Sequence, residues 1–208
     1  MCRQNSWNDA AVIVRRIGQL VVACVVLGVG VALLLLAALG SDGYSTMVNG
    51  LTIATGVPFA LVNICVGVVF VVVAAFRGTR PGLGTIIQPV LAGLVINAIL
   101  VWFEAPTGLT ARLLFMLAAL PLLALGIAAY LGSGTGAGPT EAAALAWDPP
   151  IPFRWSYSLV QGGGALLGWW LGAAIGPGTL LVIVVLGPAV DLVSRVIPAF
   201  NVHAGRAG

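Results

Sequence analysis

Charge is what this sequence has least of. Only 7% of its 208 residues are charged, 60% are hydrophobic and mean hydropathy is +1.11. No soluble chain of this length has that balance, so the composition is that of a polytopic membrane protein. Lysine is absent: all nine basic residues are arginines, and no basic cluster with interleaved aromatics exists to hold nucleic acid. The one histidine, His203, stands in a polar tail, where such a residue is solvated rather than catalytic. The three cysteines, Cys2, Cys24 and Cys65, show neither metal spacing nor a disulfide framework. Cys24 and Cys65 lie inside apolar runs and read as small packing residues. No Gly-Lys-Ser/Thr follows a glycine turn, which leaves no ATP motor. Without an identifiable base beside a nucleophile, the chain reads as no enzyme, with no cofactor and no metal.

Glycine and proline, by contrast, are plentiful, at 28 and 12 residues. Both are commoner in membrane helices than in soluble ones, and glycine lets helices approach closely. The glycines also repeat. Gly82-Leu83-Gly84-Thr85, with Gly93 and Asn97, returns ninety-four residues later as Gly176-Pro177-Gly178-Thr179, with Gly187 and Asp191. Five positions agree at one offset, and each copy opens a long apolar run, so the chain is a duplicated unit.

Apolar runs of spanning length cover 17–39, 57–76, 83–103, 111–131, 155–174 and 177–197. The first is too long for a cleaved signal core of roughly 7 to 15 residues and reads as an uncleaved helix. Between the first two runs, 40–56 carries Ser41, Asp42, Gly43 and Asn49 yet is too apolar for a solvated loop; 132–152 repeats that role, with Pro139 and Glu141 favouring a helix start. Each predicts a short re-entrant or interfacial helix. The expected fold is all-α: a cytoplasmic segment 1–16, repeat 1 over 17–104, repeat 2 over 109–198 and a cytoplasmic tail 199–208. With both termini inside, the cytoplasmic segments collect Arg3, Arg15, Arg16, Arg77, Arg80, Arg154, Arg195 and Arg206, and only Arg112 falls outside. That is the positive-inside pattern of a multi-pass plasma-membrane protein. Three spans per copy then make the six transmembrane helices two inverted repeats.

The pairing of Gly40-Ser41-Asp42-Gly43 with Pro81-Gly82-Leu83-Gly84-Thr85, and of Gly136-Ala137-Gly138-Pro139 with Gly176-Pro177-Gly178-Thr179, resembles the YczE/YitT-like family of small bacterial integral membrane proteins. The likeness runs from about Gly18 to Pro198 and lies in glycine placement, with no catalytic signature. It implies the fold and a bacterial inner membrane. Members commonly carry a proline after the first turn, where this chain has Gly43 and Tyr44, and YitT-like members often add a soluble C-terminal domain.

Two readings attach to the helix-start motifs Gly82, Gly84, Gly176 and Gly178. Their free N–H groups could face an anion near the midplane, as half-helix ends do in transporters. Alternatively the glycines let helices touch and the threonines cap. Asp191 invites proton coupling as a carboxylate within a span, or an ion pair with Arg195 one turn on. At about 21 Å along its helix it is expected below the midplane, facing the bundle and not touching Asn97, with Gly93 and Gly187 marking close helix contacts. Asn63, Gln88 and Gln161 serve either interhelical bonds or a solute path. Trp102, Trp155, Trp169 and Trp170, near span ends, read as interfacial anchors. These residues predict a small-solute secondary transporter or permease with a pathway of Asn63, Thr85, Asn97, Gln161, Thr179 and Asp191. The alternative is an accessory or assembly protein whose glycine faces dock a partner's helices or a second copy, since one deep carboxylate is thin equipment for a coupled pump. The substrate is not legible.

Overall fold

Long apolar runs without charge must satisfy their own backbone groups in lipid, and helices do so within one segment. In the computed structural model, residues 2–79 and 81–201 are described, with side chains from Val12 onward; Arg80, His203, Arg206 and the side chains of Cys2, Arg3 and Trp7 lie outside the described residues. The described residues form eight α-helices and no strand: α1 (Cys2–Ala37), α2 (Gly43–Thr55), α3 (Phe59–Phe76), α4 (Leu83–Trp102), α5 (Leu109–Gly132), α6 (Pro139–Leu145), α7 (Phe153–Trp170) and α8 (Pro177–Val196), with a 3-10 turn at Pro198–Phe200.

Five helices are long and apolar enough to cross a membrane: α1 over Val12–Ala37, then α3, α4, α5 and α8. Helix α7 is as long as α3 but carries Arg154, Gln161 and three consecutive glycines, and is not among them. The first helix also begins well before residue 17 and is continuous from Cys2. Phe76, Ile86, Leu94, Val101 and Trp102 stand mostly exposed on α3 and α4. In water such a surface would aggregate, whereas in a bilayer it is the ordinary lipid-facing wall.

The core is the α1–α5 pair. Leu20, Ala23, Cys24 and Leu27 of α1 meet Ala119, Leu120, Leu123, Ala124 and Ile127 of α5, all buried. Their backbones approach closely because Gly30 and Gly126 sit at the crossing: a Cβ on Gly126 would lie 2.8 Å from Leu27 Cα, and one on Gly30 would lie 3.0 Å from Leu123 N. Cys24 packs here, but Cys65 does not serve as a core residue, since it is exposed on α3. Helix α4 flanks α1, and α8 flanks α5.

The two short helices pack mainly on α3 and α7. Asp42 caps α2 by accepting the Ser45 N–H through Oδ2 at 3.1 Å, and Gly56, at φ 70°, closes the helix in the left-handed conformation. Helix α6 starts on Pro139, whose fixed φ and missing N–H suit a first turn. Its Thr140, Glu141, Ala142, Ala144 and Leu145 are all buried. Helix α2 lies on α7, and α6 on α3 and α7.

Both copies of the glycine motif dock in the same way, each on the other half. Gly84 donates its N–H to Thr135 O at 2.8 Å, and Gly178 donates to Leu39 O, also at 2.8 Å. Each acceptor precedes a left-handed glycine, Gly136 at φ 114° and Gly40 at φ 120°. The helix starts therefore spend one of their free donors on protein backbone. Thr85 Oγ1 accepts the Gly82 N–H at 3.1 Å, tightening the first copy further.

Candidate functional site

Where α2, α4, α6 and α7 converge on the α1–α5 core, a cavity of about 380 Å3 remains. Apolar side chains make part of its wall: Leu27, Val31, Leu123, Ile127 and Leu186. Leu34, Phe59, Ala92 and Ile96 extend that apolar wall, and a polar group is set into it: Asp42, Ser45, Asn63, Gln88, Thr140, Glu141, Tyr157 and Gln161. The volume falls within the roughly 300–1,000 Å3 of small-molecule pockets.

The polar groups are ordered by bonds that cross between the two halves. Gln161 is 2% exposed; its Oε1 accepts the Tyr44 N–H at 3.0 Å and its Nε2 donates to Tyr157 Oη at 3.0 Å. Tyr44 in turn donates its hydroxyl to Asn63 O at 3.1 Å, tying α2 to α3. Helix α2 can come this close to α7 because Gly43 rests directly on the Gln161 carbonyl and Gly164 on the Gly43 carbonyl. On the far side, Tyr130 accepts the Gly138 N–H at 3.1 Å and lies within hydrogen-bonding reach of the Glu141 carboxyl. Gln88 of α4 closes over the same point: a Cβ on Gly138 would lie 2.6 Å from Gln88 Oε1 and 2.9 Å from Glu141 Oε2.

Glu141 is 7% exposed and forms no salt bridge among the described residues. A carboxyl in that position carries a proton or faces a bound cation, because an unpaired charge away from water is costly. Asp42 lines the same cavity from the start of α2, which it caps through the Ser45 N–H. The arrangement can thus hold a positive charge or exchange a proton at Glu141, with hydroxyl and amide groups to orient a polar solute. Among the described residues no three His, Cys, Asp or Glu side chains gather as a metal ion would need.

The residues singled out from sequence divide. Asn63 and Gln161 line the cavity. Thr85 faces a neighbouring apolar cleft, and Thr179 is fully buried against Gly40. Asn97 lies exposed on α4 and does not line the cavity. Asp191 is drawn away from it: its carboxylate meets Arg195 at 2.8 Å and Arg154 at 3.8 Å, with its side chain 20% exposed. Gly187 does mark a close contact, against the Arg154 carbonyl of α7, but Gly93 has nothing within 4 Å and lines the cavity instead. Its lack of a side chain leaves open volume, not a helix crossing. The acidic pair that does meet the cavity, Asp42 and Glu141, was legible only as a helix start and a break in hydropathy. The available signal was that both stand in segments too apolar to be solvated, so their charge needed a partner inside the protein.

A family model described as a family of unknown function, DUF6198, matches residues 14–195. An uncharacterised protein of Haemophilus influenzae is 28% identical over 187 residues, covering 88% of this chain and 85% of its own. Neither match carries the YczE/YitT-like name. No solved structure matches.

Proposed function

We propose, from the premise that the chain belongs to the DUF6198 family of unknown function, that it is a small-solute secondary transporter working through the cavity around Glu141. The observation that carries this reading is a half-open volume at the junction of two halves, with two carboxyl groups and several hydroxyl and amide groups set into its wall, in a chain that is otherwise apolar. A protein with a purely architectural role gains nothing from burying Glu141 there, and the cost falls on its stability.

In this reading α7 is the sixth span, its polar residues turned toward the cavity, and the halves are inverted repeats. The reciprocal bonds Gly84 to Thr135 and Gly178 to Leu39 support it, since exchange of equivalent contacts is what a two-fold relation requires. With three spans per half the axis lies in the membrane plane, and the arginine distribution puts both termini in the cytoplasm of a bacterial inner membrane. Rocking of one half against the other about the α1–α5 crossing would open the cavity to each face in turn. Proton exchange at Glu141 supplies a coupling step that needs no ATP.

The test is flux. Purified protein in proteoliposomes under an imposed pH gradient is expected to move a solute from a broad cationic and neutral panel, with Glu141→Gln losing at least about tenfold of the rate while folding normally. Absence of flux across the panel, with Glu141→Gln silent in cells, removes the reading. A second reading is favoured by the unpacked α3–α4 face, absent from the contacts that join the other helices: a partner's helix docks there and the chain assists assembly. Purification in mild detergents that brings down a stoichiometric membrane protein would decide for it.

A further inference from the structure

The two halves are not equally closed. Helices α7 and α8 pack on one another, with Gly187 seated on Arg154, whereas their counterparts α3 and α4 stand apart. Between them lies a cleft of about 730 Å3, walled by Ile64, Gly67, Val68, Val71, Ile86 and Pro89. Its wall is almost wholly apolar. Val68 and Ile86 are exposed on it at 56% and 69%, so the cleft opens sideways on the surface that faces lipid. Asn63 and Pro89 line both this cleft and the polar cavity, which makes the two volumes neighbours across a single pair of residues.

We infer that the substrate is an amphipathic cation that enters from the bilayer, its apolar tail in the α3–α4 cleft and its positive head beside Asp42 and Glu141 in the cavity. This rests on the transporter reading and names its substrate class. Charge complementarity fixes the sign of the head. The cavity presents two carboxyl groups, and none of the described residues lining it is basic. The adjacency of the volumes sets the tail: a wholly polar solute would leave the larger, apolar volume unused, and an apolar one would leave Asp42 and Glu141 without a cation to meet them. A lateral opening also suits such a solute, which partitions into lipid before it meets the protein.

Binding to the full chain in lipid nanodiscs separates the outcomes, using hexyltrimethylammonium, hexyl sulfate and tetramethylammonium as probes. Hexyltrimethylammonium is expected to bind at least about tenfold more tightly than either of the others. Glu141→Gln should weaken it by a similar factor, and Val68→Trp, which fills the cleft from an exposed position, should reduce its affinity to that of tetramethylammonium. If tetramethylammonium binds as tightly as the hexyl compound, or if hexyl sulfate binds best, the inference is overturned. If the bilayer's own acyl chains, a partner helix or a second copy fills the cleft, Val68→Trp leaves all three affinities unchanged, and the inference again falls. Flux of some hydrophilic solute in the proteoliposome assay would then still uphold the transporter reading, whereas loss of both flux and binding would remove the two together.

Discussion

Two carboxylates, Glu141 and Asp191, show how little the position of a charge in an apolar run says about its work. Asp191 lies in the longer and more apolar helix, yet Arg195 one turn on and Arg154 from α7 neutralise it at a site where the arginines are well exposed and Asp191 is partly so. Ion pairs of that exposure contribute about 1 kcal/mol or less, so Asp191→Asn should shift the thermal midpoint in detergent only slightly and leave flux intact. Glu141 has no such partner and faces the cavity, so its amide variant should keep the fold and lose function. Gly40 carries the opposite kind of constraint. At φ 120° it sits where a Cβ is strained, and that atom would lie 2.6 Å from Thr179 Oγ1 and 2.9 Å from Thr179 N. Gly40→Ala is therefore expected to cost more than about 2 kcal/mol, read as a large drop in the unfolding midpoint, since backbone cannot move aside cheaply.

Among the elements, α2 and α7 form the contact on which the cavity depends. Gly50 and Gly168 face each other there: a Cβ on Gly50 would lie 2.5 Å from Gly168 O, and one on Gly168 would overlap the Thr46 backbone. Gly168→Leu should thus separate the helices, release Gln161 from Tyr44 and yield protein that no longer elutes as a single species, whereas Gly163→Leu, with nothing within 4 Å, should be tolerated. Most helix boundaries were legible in the sequence because hydropathy and glycine turns punctuate the chain, and even the two short helices stood out between spans; the start of α1 was not, because its polar first turns carry no apolar signal. Their depth was not legible. Hydropathy alone cannot distinguish a helix lying on the membrane from one packed inside the bundle, and only the packing of α6 against α3 and α7 shows that Glu141 is inside. The Gly93 misreading has the same origin. A glycine that clears space for a cavity and one that clears space for a neighbouring helix look alike in a sequence, and the motif's repetition tempts one to give both copies the same use.

At the scale of the whole molecule, duplication supplies a shared frame and divergence supplies the site. The reciprocal docking of the two glycine motifs, each on the bend that follows the other half's first helix, holds the halves together at two equivalent points. The residues of the candidate site do not obey the repeat: Asp42 is the cap of α2 while Glu141 is in the first turn of α6, and the α3–α4 cleft is open where α7 and α8 are packed. Rocking about the α1–α5 crossing, as proposed above, would expose the cavity to one face and then the other. Substituted-cysteine labelling measures this directly. In a variant whose Cys2, Cys24 and Cys65 are replaced, single cysteines at Ser45 and Gln88, both on the cavity wall, are treated from each side of sealed vesicles with a membrane-impermeant maleimide. Alternating access predicts that both positions react from both sides and that Glu141→Gln changes the ratio of the two rates. Failure of either position to react from either side would contradict a solute-conducting cavity and leave the chain a closed scaffold.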